Sequence, residues 1–556
     1  MGIIRDQVEN ERIAKAKLNG DNTQTFKVAD AVNANEAVSK AQLDANVMGS
    51  TAILTSLKTV DGTGSGLDAD LLDGKNGNTY VPKIGVSYVS SSQYNNFMMV
   101  INGKLYTASG NASTYATYGT GRYYASNAGT VYGVAGGLSE VIFPNLPITA
   151  KLVEVGGNGY VHNYALFDNG YLYTWGDNMD GSCGLGHNTI TYYPILALID
   201  CVKVWSGDNS KCHDVTQSIM AVERADGYTY VTGSGDDGNF GFGNVTNLNT
   251  FTQLTWLGTN VKFVGVHTGY GSMMIYQKAD GTIWAAGNNE GGCGFIGNTT
   301  ATYSTAVDIT ANVGGATAGD IVYLHHAYRY YTTAAIGSAS SLLMRKDANG
   351  VTSIYTAGYN AWGQRGDGTT TASAIPYNVP NMADVKQIVC TGGNVRSVYV
   401  LKNNGDLYFW GYSANGQSGV GTANVLSPTL VTSSVSRILM GELESNMYEY
   451  PNQMFIEKTN GSIWCAGENT DYYLGLGHNS AVLLLTENTM LTSISQKEGI
   501  KYLGDFTTAT WGRTYIMVTN NNKMYVWGYN IKNGISNHST INTSVPTRYN
   551  LPQGDV

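Results

Sequence analysis

The sequence predicts an all-β chain: a β-propeller of seven or eight blades preceded by a short helical N-terminal attachment segment. Three observations predict it. An Asn-Gly or Asp-Gly dipeptide recurs between alternating apolar runs, and the turn positions 103, 170, 227, 281, 350, 405, 461 and 522 lie 54 to 69 residues apart. Self-similarity at that period is how a propeller reads in sequence, because one small sheet buries its faces only by packing against its neighbours. Composition agrees: 69 glycines and 39 tyrosines, with charged residues at 13%, about half the usual share, suit short strands joined by tight turns.

Three segments follow in order. Residues 1–48 hold the helical pattern: Val28, Ala31, Asn35, Val38, Gln42 and Ala45 keep a 3-4-3-4-3 spacing. That is a weak heptad seam with two polar positions, which suits an attachment or oligomerisation segment, and a short amphipathic surface helix fits the spacing equally well. Residues 49–79 read as a linker, with Gly62, Gly64, Gly66, Gly74 and Gly77. Residues 80–556 carry the repeat, and no helix-rich architecture is expected there.

Within each repeat the turn is the clearest mark. Asn169-Gly170, Asp226-Gly227, Asp280-Gly281, Asn349-Gly350, Asn404-Gly405 and Asn460-Gly461 sit between strand-like runs, as Asn102-Gly103 and Asn521-Asn522 do at the two ends. The dipeptide suits a type I′ hairpin turn, which demands positive φ at both central positions. The strand after it carries Leu172, Ile283, Leu407, Ile463 or Met524 at one position and Trp175, Trp410 or Trp527 at another. It ends on Gly176, Gly233, Gly287, Gly411 or Gly467, and Gly358 comes two residues later in its copy, which keeps strand parity. A second, glycine-studded turn follows, as in Gly181-Ser182-Cys183-Gly184-Leu185-Gly186.

Trp175-Gly176-Asp177-Asn178 with Gly181, Gly184 and Gly186 resembles the repeat of the regulator of chromosome condensation family. So do Gly358, Asn360, Gly363, Gln364, Gly366 and Gly368, and Trp410-Gly411 with Gly416, Gln417, Gly419 and Gly421. The resemblance covers about 470 residues and implies a propeller. Family members usually have seven blades, whereas eight hairpin copies are counted here. Tyr472-Tyr473-Leu474 replaces the first half of the glycine turn in one copy.

A second resemblance lies at the N-terminus. Residues 34–45, and Gly66-Leu67-Asp68-Ala69-Asp70-Leu71-Leu72-Asp73-Gly74, look like segments of bacteriophage tail fibres. That resemblance implies a homotrimeric receptor-binding protein in the virion tail. It would be joined through its N-terminus to tail or baseplate proteins, and would attach to a bacterial surface glycan or outer-membrane protein. The alternative is a cellular propeller acting as a protein–protein interaction or exchange-factor module.

Chemistry is sparse. The net charge of -9 argues against nucleic acid as partner. Met1 to Glu11 has no apolar core of a signal peptide, so synthesis in a cytoplasm is expected, and no stretch of 18 apolar residues suggests membrane insertion. The six cysteines include no C-x-x-C pair and read as buried thiols. The eight histidines form no H-E-x-x-H or His-x-His, and adjacent His325 and His326 would point to opposite faces of a strand. No cofactor, metal or enzyme constellation is expected. The candidate binding residues are Tyr328, Arg329, Tyr330 and Tyr331, in the longest interval, with Glu442, Glu444, Tyr448 and Tyr450 in a polar, aromatic loop. Repeated positions are committed to packing, so specificity is expected in loops that depart from the repeat.

Overall fold

The computed structural model describes residues 86–549 apart from 92–95, 102, 110–138, 158–161, 207–217, 267–272, 301, 328–338, 392–396, 440–452, 508–512 and 530–541. The helical pattern of 28–45, both fibre-like motifs and the linker lie outside the described residues. So do all eight candidate binding residues.

The described residues form eight four-stranded antiparallel sheets, each built from four consecutive strands. Taken as blades, they span 86–140, 152–198, 201–253, 263–308, 320–379, 385–432, 435–487 and 500–549. The first strand of blade 1, Val86–Ser91, packs beside Leu152–Gly157 of blade 2 and Ile500–Thr507 of blade 8, so the innermost strands close a ring. The alternation read from sequence holds: Trp175, Trp410 and Trp527 are fully buried, as are Leu172, Ile283, Leu407 and Ile463. Outer strands carry Pro194, Pro376, Pro428 and Pro546, residues that an edge tolerates because no ladder partner needs their N–H.

The hairpin turns differ from the expected type I′. Among the described turn residues only the glycine is left-handed, from Gly103 at φ 77° to Gly281 and Gly405 at φ 88°, and Asn522 takes the same place at φ 58°. Gly170 N–H donates to Phe167 O, and the same three-residue bond recurs at Gly227, Gly281, Gly350, Gly405 and Gly461. This is a type I turn closed by a glycine bulge. The preceding Asn or Asp therefore serves another purpose. Its side chain accepts the backbone N–H two residues on: Asn169 from Tyr171, Asp226 from Tyr228, Asp280 from Thr282, Asn404 from Asp406 and Asn460 from Ser462.

The glycine turns at the opposite end of each sheet join the blades. Gly186 N–H donates to Asn249 O on the next outer strand at 2.7 Å, Gly243 to Ser304 at 2.8 Å, Gly368 to Leu426 at 2.9 Å, Gly421 to Leu483 at 3.1 Å and Gly477 to Ser544 at 2.9 Å. Closeness of approach explains the glycines: a Cβ on Gly181 would lie 2.4 Å from Asn249 Cα, and one on Gly416 2.6 Å from Leu483 Cα. Indoles add a second tie, with Trp410 Nε1 donating to Gln364 O and Trp527 Nε1 to Tyr473 O in the preceding blade's turn. Where the sequence lacks glycine, the backbone stays left-handed: Tyr472 at φ 65° and Phe295 at φ 59°.

Three inter-blade connections depart from the all-strand expectation, and Thr255–Leu257, between blades 3 and 4, is a single 3₁₀ turn. Thr489–Glu498, between blades 7 and 8, is an α-helix capped by Asn488, whose side chain accepts Leu491 N–H. Between blades 4 and 5, Thr310–Val313 and Ala316–Ala318 form short 3₁₀ turns. Fully buried Arg345 holds them by donating to Val313 O, Gly315 O and Gly319 O. Part of the long Gly281–Gly350 interval is thus an ordered, pinned link. No helix among the described residues is long and apolar enough to cross a membrane.

Gly181 and Gly103 both adopt positive φ, near 80° and 77°, yet a Cβ on Gly103 meets nothing within 4 Å. Gly103→Ala should therefore cost only the backbone strain, about 1 kcal/mol. Gly181→Ala should cost about 2 kcal/mol more, because the outer strand of blade 3 must move. Urea denaturation of both variants checks this, and equal losses would contradict the clamp.

Candidate functional site

The blades leave two ends of different chemistry. At the hairpin end, cations and anions are paired off. Lys262 meets Asp320 at 2.7 Å, Lys402 meets Asp384 at 2.9 Å, Lys523 meets Glu498 at 2.9 Å and Arg224 meets Asp200 at 3.5 Å. Arg224 and Lys402 also lie over rings, 5.2 Å from the Tyr230 centroid and 5.4 Å from that of Tyr408, as do Lys278, 4.4 Å from Trp284, and Lys458, 4.8 Å from Trp464. The signal was present in sequence, as a basic residue three before the turn glycine and an aromatic residue three after it.

Among the described residues, the glycine-turn end is acidic. Its turns place there Asp180 of blade 2, Asp236 and Asp237 of blade 3, Glu290 of blade 4, Asp367 of blade 5, and Glu468 and Asp471 of blade 7, with Asp177 buried behind the turn of blade 2. The basic residues placed there are Arg365, which is buried and 3.6 Å from Asp367, and Arg513, which begins a strand of blade 8. The turns that display the acids are rigid. Asn178, Asn289, Asn360 and Asn469 each accept a backbone N–H from within the turn, from Cys183, Gly294, Arg365 and Leu474. Their amide groups donate onward to carbonyls of the same turn, including His187 O and His478 O.

That last contact explains the repeated histidines. His187 and His478 fill the same turn position, and their Nδ1 atoms accept Thr189 N–H and Ser480 N–H. They shape the turn. Among the described residues, the other thiols and imidazoles are buried. Cys183, Cys201, Cys293, Cys390 and Cys465 are free and buried thiols, with Cys212 outside the described residues. Burial pushes the thiols of Cys201, Cys293 and Cys465 up to about 12, which suppresses the reactive thiolate. Cys293 Sγ lies 3.9 Å from His326 Nε2, and His326 Nδ1 contacts Ser341 Oγ inside the same core. No group of three or more His, Cys, Asp or Glu among the described residues is arranged to hold a metal.

Comparison with known proteins follows from this geometry. No protein-family model matches the chain. It is similar to the E3 ubiquitin-protein ligase HERC2 of Homo sapiens, 25% identical over 350 residues, and equally to that of Mus musculus. The match takes in 60% of the chain but spans only 7% of the length of those curated relatives. Among solved structures it is similar to Prp20p of Saccharomyces cerevisiae, described by its binding to Gsp1p and histones. Identity there is 15%, covering 86% of this chain and 88% of that one, with a TM-score of 0.47. Human WBSCR16 gives 18% identity, 68% and 85% coverage and a TM-score of 0.43.

These relatives correct the tail-fibre expectation. Sequence relationship extends over 350 residues, 60% of the chain, and leads to a cellular protein of mammals. The fibre expectation rested on two short motifs, 34–45 and 66–74, outside the described residues. A short run of common residue types recurs more easily than a repeat sustained over hundreds of positions. The virion-tail location, the tail and baseplate partners, the homotrimer and the bacterial surface glycan or outer-membrane protein as receptor fall with it.

Two buried groups in blade 2 give opposite pH signatures. Burial pushes the Asp177 carboxyl up to about 6, so its ionisation costs stability above that pH, and the cost disappears as pH falls toward its unfolded value near 3.8. Burial pushes His162 down to about 4, so stability is lost as pH falls from 6.5 toward 4. Asp177→Asn should melt above the parent at about pH 7.5 and match it near pH 4, whereas His162→Gln should flatten the acid-side loss. Melting curves across that range check both, and a pH-independent difference for either variant would contradict its assignment.

Proposed function

We propose that the chain is a cellular, non-enzymatic propeller that binds another protein, with the acidic glycine-turn end receiving a basic segment of the partner. The observation that carries this is the sorting of charge between the two ends. At the hairpin end, carboxylates and cations satisfy each other in ion pairs such as Lys262–Asp320 and Lys402–Asp384. At the glycine-turn end the described turns present carboxylates on five strand-to-strand connections, with two basic residues in company, one of them buried. Like charges held on rigid turns around one rim add their fields, which draws in and orients a cationic partner. A non-enzymatic role fits side chains of thiol and imidazole type that are spent on packing and turn shape.

A fluorescent oligolysine peptide is a direct probe. Its anisotropy on mixing with the full chain should rise at low salt, and affinity should fall steeply as salt is raised, since exposed charges are screened beyond about 10 Å at 0.1 M. Asp236→Asn combined with Asp237→Asn should weaken binding roughly three- to tenfold at low salt. Lys262→Gln, at the opposite end, should leave it unchanged. Equal effects from both ends would contradict the proposal.

A further inference from the structure

Four hairpin turns carry an Asn-Gly pair among the described residues: Asn169-Gly170, Asn349-Gly350, Asn404-Gly405 and Asn460-Gly461. All four asparagines are exposed, and all four glycines donate N–H to the carbonyl three residues back. Exposure and turn closure therefore do not distinguish them. Their side chains do. Asn169 Oδ1 accepts Tyr171 N–H at 3.1 Å, Asn404 Oδ1 accepts Asp406 N–H at 3.0 Å and Asn460 Oδ1 accepts Ser462 N–H at 3.0 Å.

In blade 5 that donor is already taken. The corresponding N–H belongs to Val351, and Asp347 Oδ1 accepts it at 2.8 Å, together with Asn349 N–H at 2.9 Å. The residue in the place of Asp347 is Phe167, Lys402 or Lys458 in the other three turns, and none of these side chains offers an acceptor. A carboxylate accepts a backbone N–H more strongly than a neutral amide does, so Asp347 displaces Asn349 from its usual partner. The Asn349 amide group is left bonded to no other group of the described residues.

Gly350 also has the most open surroundings of the four glycines. A Cβ there would meet only Lys346 Cε, at 3.8 Å, whereas one on Gly170 would lie 3.2 Å from Asp200 Cα, one on Gly405 3.3 Å from Val435 O and one on Gly461 3.4 Å from Gln496 Cγ. Gly170 O and Gly405 O are further held by Cys201 N–H and Val435 N–H of the next blade. The remaining Asn-Gly pair among the described residues, Asn415-Gly416, lies in a clamped glycine turn, where a Cβ on Gly416 would lie 2.6 Å from Leu483 Cα.

An asparagine followed by glycine has an intramolecular reaction open to it. The Gly350 nitrogen, once its proton passes to hydroxide, attacks Asn349 Cγ. A C–N bond forms, the bond from Cγ to the side-chain nitrogen breaks, and that nitrogen takes a proton from water and leaves as ammonia. Water then adds to either carbonyl of the cyclic succinimide and opens it to an aspartyl or an isoaspartyl residue. Glycine permits the approach because no side chain obstructs its nitrogen. A tied asparagine must first break its hydrogen bond, and Asn349 has none to break. We infer that Asn349 is a deamidation site of the folded protein, created by Asp347 taking the Val351 N–H. The product places a second carboxylate beside Asp347, and its isoaspartyl form lengthens the main chain of the turn by one carbon.

The test ages the full chain at mildly alkaline pH and follows the exchange of amide for carboxyl by peptide mass spectrometry. Conversion at Asn349 should run roughly fivefold ahead of Asn169, Asn404 and Asn460, the factor expected from one hydrogen bond. In urea the four rates should converge, because the unfolded chain holds none of these bonds. Asn349→Asp supplies the reference peptide that separates the aspartyl from the isoaspartyl product. Asp347→Ala returns the Val351 N–H to Asn349 and should slow conversion there to the rate of the other three. Melting temperatures establish that this variant folds, and the ranking within the parent chain tests the site without any variant. Equal rates at the four asparagines of the folded parent overturn the inference. So does a rate at Asn349 that a folded Asp347→Ala protein leaves unchanged or raises.

Discussion

Where Gly186, Gly243, Gly368, Gly421 and Gly477 donate their N–H groups to the outer strand of the next blade, two sheets come close enough to share one backbone hydrogen bond. Much else in the chain follows from that approach. It demands glycine upstream in the turn, because a Cβ on Gly181, Gly363 or Gly416 would collide with the neighbouring strand. It brings the buried indoles of Trp410 and Trp527 within reach of carbonyls in the preceding turn. It also requires each turn to hold one shape, which the buried Asn178, Asn289, Asn360 and Asn469 secure from inside.

The same constraint decides where function has room. Strand interiors are filled by Leu, Ile, Val and Trp, and among the described residues histidine and cysteine are drawn into packing or turn closure. What remains variable is what the ends of the sheets display. At the hairpin end, ion pairs and cation–ring contacts consume the charge locally, each exposed pair adding little to stability. At the glycine-turn end, the turns of blades 2, 4, 5 and 7 are held rigid by their own asparagines, so the carboxylates there stand on a fixed frame, which would reduce the entropy lost by the proposed binding.

Legibility in sequence tracked repetition. Seven turn glycines and Asn522, recurring every 54 to 69 residues, marked eight sheets, and the alternation of Leu407 with Trp410 placed their buried faces. Turn chemistry was harder: Asn-Gly suits more than one hairpin geometry, and the side-chain bond from Asn169 to Tyr171 N–H, rather than its own φ, explains the asparagine. Single-copy features had no repeat to reveal them. The helix Thr489–Glu498 was signalled only by Asn488 before it and Gly499 after it, and the cage of carbonyls around Arg345 brings together residues whose contact no local pattern encodes. The acidic end was hidden for the opposite reason. Its carboxylates are scattered along the chain, and topology alone collects them. The candidate residues Tyr328 to Tyr331 and Glu442 to Tyr450 were chosen for departing from the repeat, and remain candidates by that argument alone. The fibre expectation shows the hazard of weighting two short motifs above a pattern sustained through most of the chain.

Native-state hydrogen exchange on the amides of Gly186, Gly243, Gly368, Gly421 and Gly477 tests the central claim most directly, that these inter-blade bonds hold the ring. Each lies in a turn that, without the bond, would be open to water. The account predicts that all five exchange as slowly as the amides of the buried strands, opening only when the sheets unfold together. Exchange at the rate of the hairpin-turn amides, while the strands remain protected, would contradict it.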